Sequence, residues 1–248
     1  MPVKLLDLTL PTPAENLACD EALLDHCEAT HEADDILRFW EPQEPFVVVG
    51  YGNHAATEAR LDVCHELSIP VLRRCSGGGA VVQGPGCLNY SLILDVEGMD
   101  SLKSVSGANR SIMQRHCDAL NAAMQEAGLG GPRIEVRGHT DLAVGDLKFS
   151  GNSQRRRKRF LLFHGTFLLS MNLGLVDQFL PMPSKQPAYR AERSHADFLM
   201  HLPLEPDAVR SALQEAWHAF NHVDEIPSEK IAALAAERYE SDSWNLRW

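Results

Sequence analysis

The segment RRCSGGGAVVQGPG, residues 73–86, holds the least ordinary pattern in this 248-residue sequence. A serine follows two arginines and a cysteine, three consecutive glycines come next, and the chain then continues into an apolar segment. Adjacent glycines lose side-chain packing and carry a large entropic cost on folding, so they are kept where a Cβ would block a backbone conformation or a close approach. The pattern predicts a loop that a ligand approaches closely or, more simply, a tight hairpin turn.

The residues around the glycines favour an anionic ligand. Arg73 and Arg74 carry planar donor groups suited to carboxylates and phosphates, and Ser76 adds a hydroxyl. The N–H groups of Gly77, Gly78 and Gly79 can converge on an anion as a backbone nest. The spacing excludes a Walker loop, and no helix opens at the glycines as a dinucleotide fingerprint requires.

A lysine further along the chain supplies another cationic group. In GDLKFSGN, residues 145–152, Leu147 and Phe149 alternate with Lys148, which therefore projects from the opposite face of a predicted strand. Lysine is a point charge suited to a carboxylate or an α-phosphate oxygen. Asp141, in the paired strand, could hold a hard cation such as Mg²⁺.

Hydrophobic periodicity predicts an α+β fold with mixed, largely antiparallel sheets flanked by helices. Strands are predicted at residues 36–41, 46–50, 69–74 and 87–94, followed by three more in RIEV, DLAVGDLKFSG and FLLFHGTFLLS. Helices are predicted at residues 15–30 and 107–127, the second with Met113, Cys117, Leu120 and Met124 on one face. Two helices close the chain, the first with Val209, Leu213, Trp217 and Phe220 on one face and the second capped by Ser228.

Composition limits the classes of function. The net charge of −11 argues against general nucleic-acid binding, although RRRKR, residues 155–159, is a basic run that predicts either a solvated loop or a docking patch. No apolar run approaches the roughly 18 residues of a membrane span, so we expect a soluble cytoplasmic protein without a membrane partner. Six cysteines without a C-x-x-C pair fit reduced thiols, and the eleven histidines show no zinc-binding spacing.

Three blocks of the sequence resemble lipoate–protein ligases, within the wider lipoate and biotin protein ligase superfamily. The blocks are RRCSGGGAVV…LNYSL, TDLAVGDLKFSGNSQRR and FHGTFLL, and weaker agreements such as NLACDEALL and SDSWNLRW run nearly end to end. The resemblance implies a seven-stranded-type mixed sheet of the class II aminoacyl-tRNA synthetase and biotin ligase kind. It also implies residues 1–204 as a catalytic acyl-adenylate-forming domain, with residues 205–248 as a two-helix extension packed on it.

The same resemblance implies roles for individual residues. Lys148 would be catalytic, gripping the acyl carbonyl and phosphate, and Asp141 would hold Mg²⁺. The substrate and nucleotide contacts would come from Arg73, Arg74, Ser76, Gly77, Gly78, Gly79, Asn89, Ser150, Gly151, His164, Gly165 and Thr166. The implied reaction activates lipoate with ATP as lipoyl-AMP and transfers it to a lysine of an apo lipoyl-domain protein, with a separate accessory protein as a possible further partner.

Two other functions stay open at this point. Octanoyltransferases of the same superfamily use a cysteine nucleophile and no ATP, but no cysteine follows Cys117 in this chain. Cys75 and Cys87 lie beside the predicted site and would have to carry such a thioester. The third reading is a non-catalytic lipoyl-domain-binding protein.

Overall fold

Two β-sheets and the helices around them make up the computed structural model, which describes residues 3–30 and 34–247. The strands are β1 Val3–Asp7, β2 Asp35–Trp40, β3 Phe46–Val49, β4 Val71–Arg73, β5 Val81–Gln83, β6 Cys87–Asp95, β7 Ile134–Arg137, β8 Asp141–Val144, β9 Leu147–Arg156, β10 Phe160–Leu168 and β11 Asn221–His222. The helices in the described ranges are α1 Pro13–Thr30, α2 Ala55–Glu58, α3 Leu61–Glu66, α4 Val105–Glu126, α5 Gly174–Phe179, α6 His195–Phe198, α7 Pro206–Trp217, α8 Ser228–Leu234 and α9 Asp242–Asn245. Across those ranges, no helix combines the length and apolar character that crossing a bilayer requires.

The larger sheet has the strand order β11-β1-β2-β6-β10-β9-β8-β7. Pairing is antiparallel from β2 through β7, whereas β1 runs parallel to both of its neighbours. The predicted α+β class with largely antiparallel sheets is therefore confirmed. The sheet has eight strands in the described residues rather than seven, because the two-residue strand β11 adds a parallel edge beside β1.

One face of this sheet is covered by α4 and α7. Met113, Cys117 and Leu120 of α4 are buried in the core on this face, as the periodicity predicted. Val209, Leu213 and Trp217 of α7 join the same core. The predicted position of Phe220 on that helical face is wrong, because α7 ends at Trp217, His218 adopts a left-handed conformation with φ 52°, and Phe220 is 59% exposed.

The opposite face is covered by α1, α8 and the three-stranded sheet, whose strand order is β4-β3-β5. A capping box starts α1, since the N–H of Thr12 donates to Glu15 and the N–H of Glu15 donates to the hydroxyl of Thr12. Ser228 is the first residue of α8 rather than its cap, which is Pro227. The glycine segment connects β4 to β5, and it contacts the larger sheet through Ser76 with His164 of β10 and through Gly77 with Ser153 of β9.

Candidate active site

The candidate site lies on the face of β6, β9 and β10 that the glycine segment covers. Side chains alternate along these strands, and Leu88, Tyr90, Phe163 and Phe167 point into the core beneath α4. The residues between them project toward the glycine segment. Strand register aligns His164 with Ser153, so a polar surface crosses neighbouring strands at this point.

The glycine loop, residues 76–79, turns its carbonyl groups toward the protein. The carbonyl of Gly77 accepts hydrogen bonds from the guanidinium of Arg74 at 2.6 Å and from the hydroxyl of Ser153 at 2.9 Å. The carbonyl of Gly78 accepts from the amide of Asn53 at 3.0 Å. The N–H groups of Gly77, Gly78 and Gly79 donate to no acceptor within residues 3–30 and 34–247. These exposed donors can bind an anion.

Within the loop, the protein's own geometry requires a glycine only at position 78. A Cβ on Gly77 or Gly79 would meet nothing within 4 Å, whereas Gly78 has a φ of +90° that disfavours any other residue. A Cβ on Gly50 would lie 2.0 Å from the carbonyl oxygen of Gly78. Gly50 therefore allows the loop to pack on the end of β3, a role that sequence reasoning missed, although FVVVGYGN showed a glycine at that strand end.

Arg73 does not offer its guanidinium to a ligand. The side chain is fully buried, and its N–H groups donate to the carbonyl oxygens of Gly50, Tyr51, Asn53, Trp244, Asn245 and Arg247. The predicted ligand contact is wrong in this geometry, because five N–H donors are already committed to backbone acceptors. Arg73 instead joins the C-terminal residues to the segment beneath the glycine loop.

Arg74 holds the glycine loop through hydrogen bonds rather than through an ion pair. Its guanidinium donates to the carbonyls of Gly77 and Gly79 and has no carboxylate partner among the ion pairs of the described residues. Desolvation lowers the pKa of Arg74 to about 10. An uncompensated cation next to free N–H donors favours the binding of an anion.

Lys148 reaches the same face because β9 contains a β-bulge. Leu142 pairs with Ser150 and Ala143 with Lys148, so Phe149 has no partner on β8. Phe149 is buried in the core, and the Nζ of Lys148 lies 2.7 Å from Oδ1 of Asp141. The structure therefore brings together Lys148 and Asp141, two of the residues named from the sequence.

Gly151 and Tyr189 complete the surroundings of this ion pair. A Cβ on Gly151 would lie 2.8 Å from Nζ of Lys148, so the glycine leaves room for the ammonium to lie across the strand. The hydroxyl of Tyr189 donates to Oδ2 of Asp141 at 2.8 Å. Both oxygens of Asp141 consequently have protein partners.

Two predicted site residues, Ser150 and Gly165, belong to the other face of the sheet. Ser150 is aligned with Leu142 and Phe167, which are core residues, and is 1% exposed. A Cβ on Gly165 would lie 1.7 Å from Oδ1 of Asn152, which accepts a hydrogen bond from Tyr90. This internal contact explains the glycine at position 165, and the side chain of Ser150 lies on the core face rather than in the predicted pocket.

Asn89 and Thr166 form a polar group with Gln83 of β5. The amide of Asn89 donates to Gln83 at 3.0 Å, the amide of Gln83 donates to Thr166 at 2.6 Å, and the hydroxyl of Thr166 donates to Asn89 at 2.5 Å. The group links the two sheets beside the site. Gln83 was not predicted, although its place in QGPG pointed to a polar residue at a strand end.

Ser76 and His164 belong to a longer chain of hydrogen bonds. The hydroxyl of Ser76 lies 2.6 Å from Nε2 of His164, and Nδ1 of His164 lies 3.2 Å from Oδ2 of Asp20. Oδ1 of Asp20 accepts a hydrogen bond from Arg38 at 2.6 Å. Sequence reasoning missed Asp20 and Arg38, whose only signal is a charge inside the mostly apolar segments NLACDEALL and ILRFWE.

The described cysteines are all buried. Burial raises the pKa of Cys75 and of Cys87 to about 12, and Cys87 packs with Met171 at a sulfur–sulfur distance of 3.2 Å. Since the thiolate is the nucleophilic form, neither thiol is activated at neutral pH.

The basic run 155–159 is largely committed to internal contacts. Arg157 pairs with Asp25 at 2.7 Å, and Arg159 pairs with Asp95 at 2.8 Å. Lys158 is the one exposed residue in the run. Few of the positive charges in this run are therefore available to bind a partner protein, which argues against the hypothesis of a basic docking patch.

Comparison with known proteins places this geometry among enzymes of protein lipoylation. The sequence profile of the lipoyl protein ligase A/B catalytic domain matches residues 12–216. The chain is 27% identical to lipoate-protein ligase A subunit 1 of Thermoplasma acidophilum, over 96% of this chain and 95% of that protein. It is 25% identical to octanoyltransferase LipM of Halalkalibacterium halodurans, over 95% of each.

Solved structures of lipoate–protein ligases are similar to this structure over nearly the whole chain. Lipoate-protein ligase A bound with ATP has a TM-score of 0.74 at 27% identity and covers 99% of both chains. A bi-partite lipoate protein ligase of T. acidophilum, studied with its E2 lipoyl domain, has a TM-score of 0.75 at 25% identity and covers 99% of this chain and 96% of that one. Because the family profile spans most of the sequence, the chain belongs to the lipoyl protein ligase A/B catalytic-domain family, whose members include lipoate–protein ligases and octanoyltransferases.

Proposed function

We propose that this chain is an ATP-dependent lipoate–protein ligase. It would activate lipoate as lipoyl-AMP and transfer the lipoyl group to a lysine of a lipoyl domain. The supporting observation is that Lys148 lies on the sheet face that the glycine loop covers, while each described cysteine is buried. A cation and free N–H donors suit an acyl phosphate, and a thioester on cysteine lacks an activated thiol.

In the first step, a carboxylate oxygen of lipoate attacks the α-phosphorus of ATP, and pyrophosphate leaves with the electrons of the broken P–O bond. Lys148 would bring the two anions together and balance the charge that builds on the phosphoryl oxygens. The N–H groups of Gly77 and Gly79 would bind oxygens of the acyl phosphate. Neither glycine has a neighbour within 4 Å of its Cβ position, so a ligand can approach the backbone there.

In the second step, the neutral ε-amine of the acceptor lysine attacks the acyl carbonyl. The C–O bond to AMP breaks, AMP leaves as the anion, and the amine loses its proton as the amide forms. Lys148 would stabilise the oxyanion of the tetrahedral intermediate together with the loop N–H groups. The ion pair with Asp141 positions the ammonium before either substrate binds.

Magnesium fits this site only together with phosphate oxygens. In the described parts of the chain, no three His, Cys, Asp or Glu side chains gather into a metal site, and both oxygens of Asp141 already have protein partners. Mg²⁺ usually takes one or two carboxylates plus substrate phosphates and water. Asp141 would be its protein ligand, and the ion would neutralise phosphate charge when it arrives with ATP.

Octanoyl transfer is the second candidate, because an octanoyltransferase is among the relatives that match nearly the full chain. A cysteine mechanism would require Cys75 or Cys87 to become ionised, against the raised pKa of each thiol. The burial of both thiols therefore favours the ligase.

The proposal extends to the partners of the enzyme, its location and the division of the chain. The acceptor would be an apo lipoyl-domain protein, and a separate accessory protein would assist, as in the bi-partite ligase of T. acidophilum. The enzyme would act in the cytoplasm, without nucleic acid or membrane. Residues 1–204 would form the adenylate-forming domain, and residues 205–248 would form an extension packed against α4 and α1.

Lipoate-dependent exchange between ATP and pyrophosphate tests the proposal, since exchange requires reversible formation of the adenylate. We expect exchange with lipoate and none without it. A lipoyl-domain acceptor should then gain one lipoyl group in the presence of ATP. Transfer from an octanoyl carrier without ATP, combined with no exchange with or without an accessory protein, would contradict the ligase.

A further inference from the structure

The β-bulge in β9 decides which face of the sheet Lys148 occupies, and it separates two pairing registers between β8 and β9. On the inner side of the bulge, a two-residue turn follows Val144 and pairs it with Leu147. On the outer side, Leu142 pairs with Ser150. These pairings differ by one residue, so they cannot belong to one unbroken antiparallel register. The bulge therefore persists while each half of the hairpin is held in its own register.

Either register alone would change the surroundings of the lysine. Because side chains alternate along a strand, extending the outer register inward from Ser150 would turn Lys148 to the core face and Phe149 to the face that the glycine segment covers. Extending the register of the turn outward would place Ser150 opposite Asp141, where Gly151 now leaves room for the ammonium. The bulged arrangement gives Lys148 both its carboxylate partner and this space.

The inner half of the hairpin has a support beyond the turn. The N–H of Met200 donates to the carbonyl of Lys148 at 2.9 Å, so the backbone within the bulge is bonded outside the β8–β9 ladder. The outer half needs a comparable support, because Asp141 at the start of β8 must stay opposite Gly151.

Asn152 supplies this support through hydrogen bonds that join β9 to the residue before β8. Its side-chain amide donates to the carbonyl of Thr140 at 2.7 Å, and its backbone carbonyl accepts from the hydroxyl of Thr140 at 2.6 Å. Thr140 directly precedes Asp141 in the chain. The two hydrogen bonds lie one residue beyond the pair of Asp141 with Gly151 and fix the position of Asp141 along β9.

The amide of Asn152 is itself oriented from the core. Its Oδ1 accepts from the hydroxyl of Tyr90 at 2.6 Å. Tyr90 is fully buried, and its ring stacks on Phe167 at a centroid distance of 5.3 Å. Gly165 leaves the space that Oδ1 occupies, since a Cβ there would lie 1.7 Å away. Because the Tyr90 hydroxyl holds the oxygen, the nitrogen of the amide faces Thr140.

We infer that Asn152 is a positioning residue for Lys148, acting through the register of β8 against β9 rather than by contact with a substrate. Tyr90 shares this role because it orients the amide. The effect of Asn152 on catalysis rests on the proposed function, in which Lys148 serves the acyl phosphate. The placement of the ammonium by Asn152 exists before any substrate binds.

Gln154 is a matched control, because it lies two residues further along β9 on the same face of the sheet. Its side-chain amide donates to the carbonyl of Val105 at 3.1 Å and to Oδ1 of Asn109 at 2.5 Å. Both acceptors belong to α4. Removing this amide therefore costs hydrogen bonds of the same kind without touching the pairing of β8 with β9.

The first test is spectroscopic and uses the full chain without substrates. Its lysines are dimethylated with ¹³C-formaldehyde, and the signal of Lys148 is assigned by its absence in Lys148→Arg. Asp141→Asn marks the chemical shift of the ammonium without its carboxylate. We expect the Lys148 signal of Asn152→Ala to move toward that position, whereas Gln154→Ala keeps the wild-type position. A wild-type position in Asn152→Ala would overturn the inference.

The second test is lipoate-dependent ATP–pyrophosphate exchange. Asn152→Ala should lower kcat by about fivefold with little change in KM, because the side chain does not touch the substrate and the displaced ammonium stabilises developing charge less well. Gln154→Ala should keep the wild-type kcat. An equal loss of kcat in the two variants would reduce the effect to general destabilisation and overturn the inference.

Tyr90→Phe covers the case in which Asn152→Ala does not fold, because it keeps the stacked ring and removes the hydroxyl that orients the amide. Its Lys148 signal should move in the same direction by a smaller amount, and an unchanged signal would overturn the inference. If the wild type shows no exchange while the Lys148 signals respond as expected, the proposed ligase fails and the placement of Lys148 by Asn152 stands.

Discussion

Nζ of Lys148 lies 2.7 Å from Oδ1 of Asp141, and the ammonium occupies the space that a side chain on Gly151 would fill. The ion pair is partly exposed, with 24% of the lysine side chain and 14% of the aspartate side chain accessible. An incoming acyl phosphate can therefore replace the carboxylate as the partner of the ammonium. The same bulge that buries Phe149 makes this possible.

Replacing Lys148 with alanine should reduce lipoate-dependent ATP–pyrophosphate exchange by about 100-fold or more, the usual effect of losing one group that stabilises developing charge. The variant should remain folded by circular dichroism. Lys103→Ala is the matched control, because Lys103 is exposed and pairs only with exposed carboxylates. Exchange at the wild-type rate in Lys148→Ala would remove the lysine from the mechanism.

Two glycines should respond in opposite ways to the same added methyl group. Gly165→Ala places a Cβ 1.7 Å from Oδ1 of Asn152 and should lower the free energy of unfolding by about 2–4 kcal/mol, since Asn152 must move and lose buried hydrogen bonds. Gly77→Ala meets nothing within 4 Å and should change stability by no more than about 0.5 kcal/mol.

For activity, the order of the two variants should be reversed, with Gly77→Ala the more impaired in ATP–pyrophosphate exchange. Gly77→Ala should reduce exchange by about tenfold or more, because its methyl group occupies the space through which the ligand approaches the loop. Urea denaturation and the exchange assay on both variants check the pair. Equal stability of the two variants would refute the assignment of Gly165 to the core face.

The sequence predicted most of the regular structure because periodicity is a local signal. The face of α4 with Met113, Cys117 and Leu120 follows from spacing alone. The assignment of strands to the two sheets was not predicted, because three-residue strands such as β4 and β5 carry no information about their partners. Helix ends were also uncertain, as the exposed Phe220 shows.

The candidate site also contains residues that the sequence predicted and residues that it did not. The glycine loop and Lys148 were found because three glycines and a lone strand lysine are unusual in sequence. The role of Arg73 was missed because its acceptors include Trp244 and Asn245, more than 170 residues away for each. Ser150 was misplaced because one extra residue in a bulge changes which side chains share a face.

Arg73→Lys should lower the free energy of unfolding by about 2–4 kcal/mol, because an ammonium cannot reproduce the planar set of donors and leaves buried carbonyls unsatisfied. Arg137→Lys, in a partly exposed ion pair with Asp146, should cost no more than about 1 kcal/mol. Urea denaturation compares the two. Limited proteolysis should also cut Arg73→Lys earlier near residues 242–247, and an unchanged cleavage pattern would contradict the anchoring role.

Asp35 should make stability depend on pH. Burial raises the pKa of this carboxyl to about 6, above its ordinary value of 3.8, so the folded state binds the proton more tightly than the unfolded state. Its contribution is fully present below about pH 4 and is lost as the pH rises through about 6. Asp35→Asn should therefore gain about 1–3 kcal/mol relative to the wild type at pH 8 and little at pH 4. Urea titrations at both pH values test this, and a pH-independent difference would contradict it.

Thiol chemistry should play no part in the activity. With the pKa of Cys75 and Cys87 raised to about 12 by burial, iodoacetamide at pH 8 should leave both thiols unmodified in the native protein and modify them in guanidinium chloride. Cys75→Ala and Cys87→Ala should retain lipoate-dependent exchange. Peptide mapping after alkylation and the exchange assay check the two halves of this prediction. Rapid alkylation of either thiol in the native protein, together with loss of transfer in its alanine variant, would instead establish a cysteine transferase.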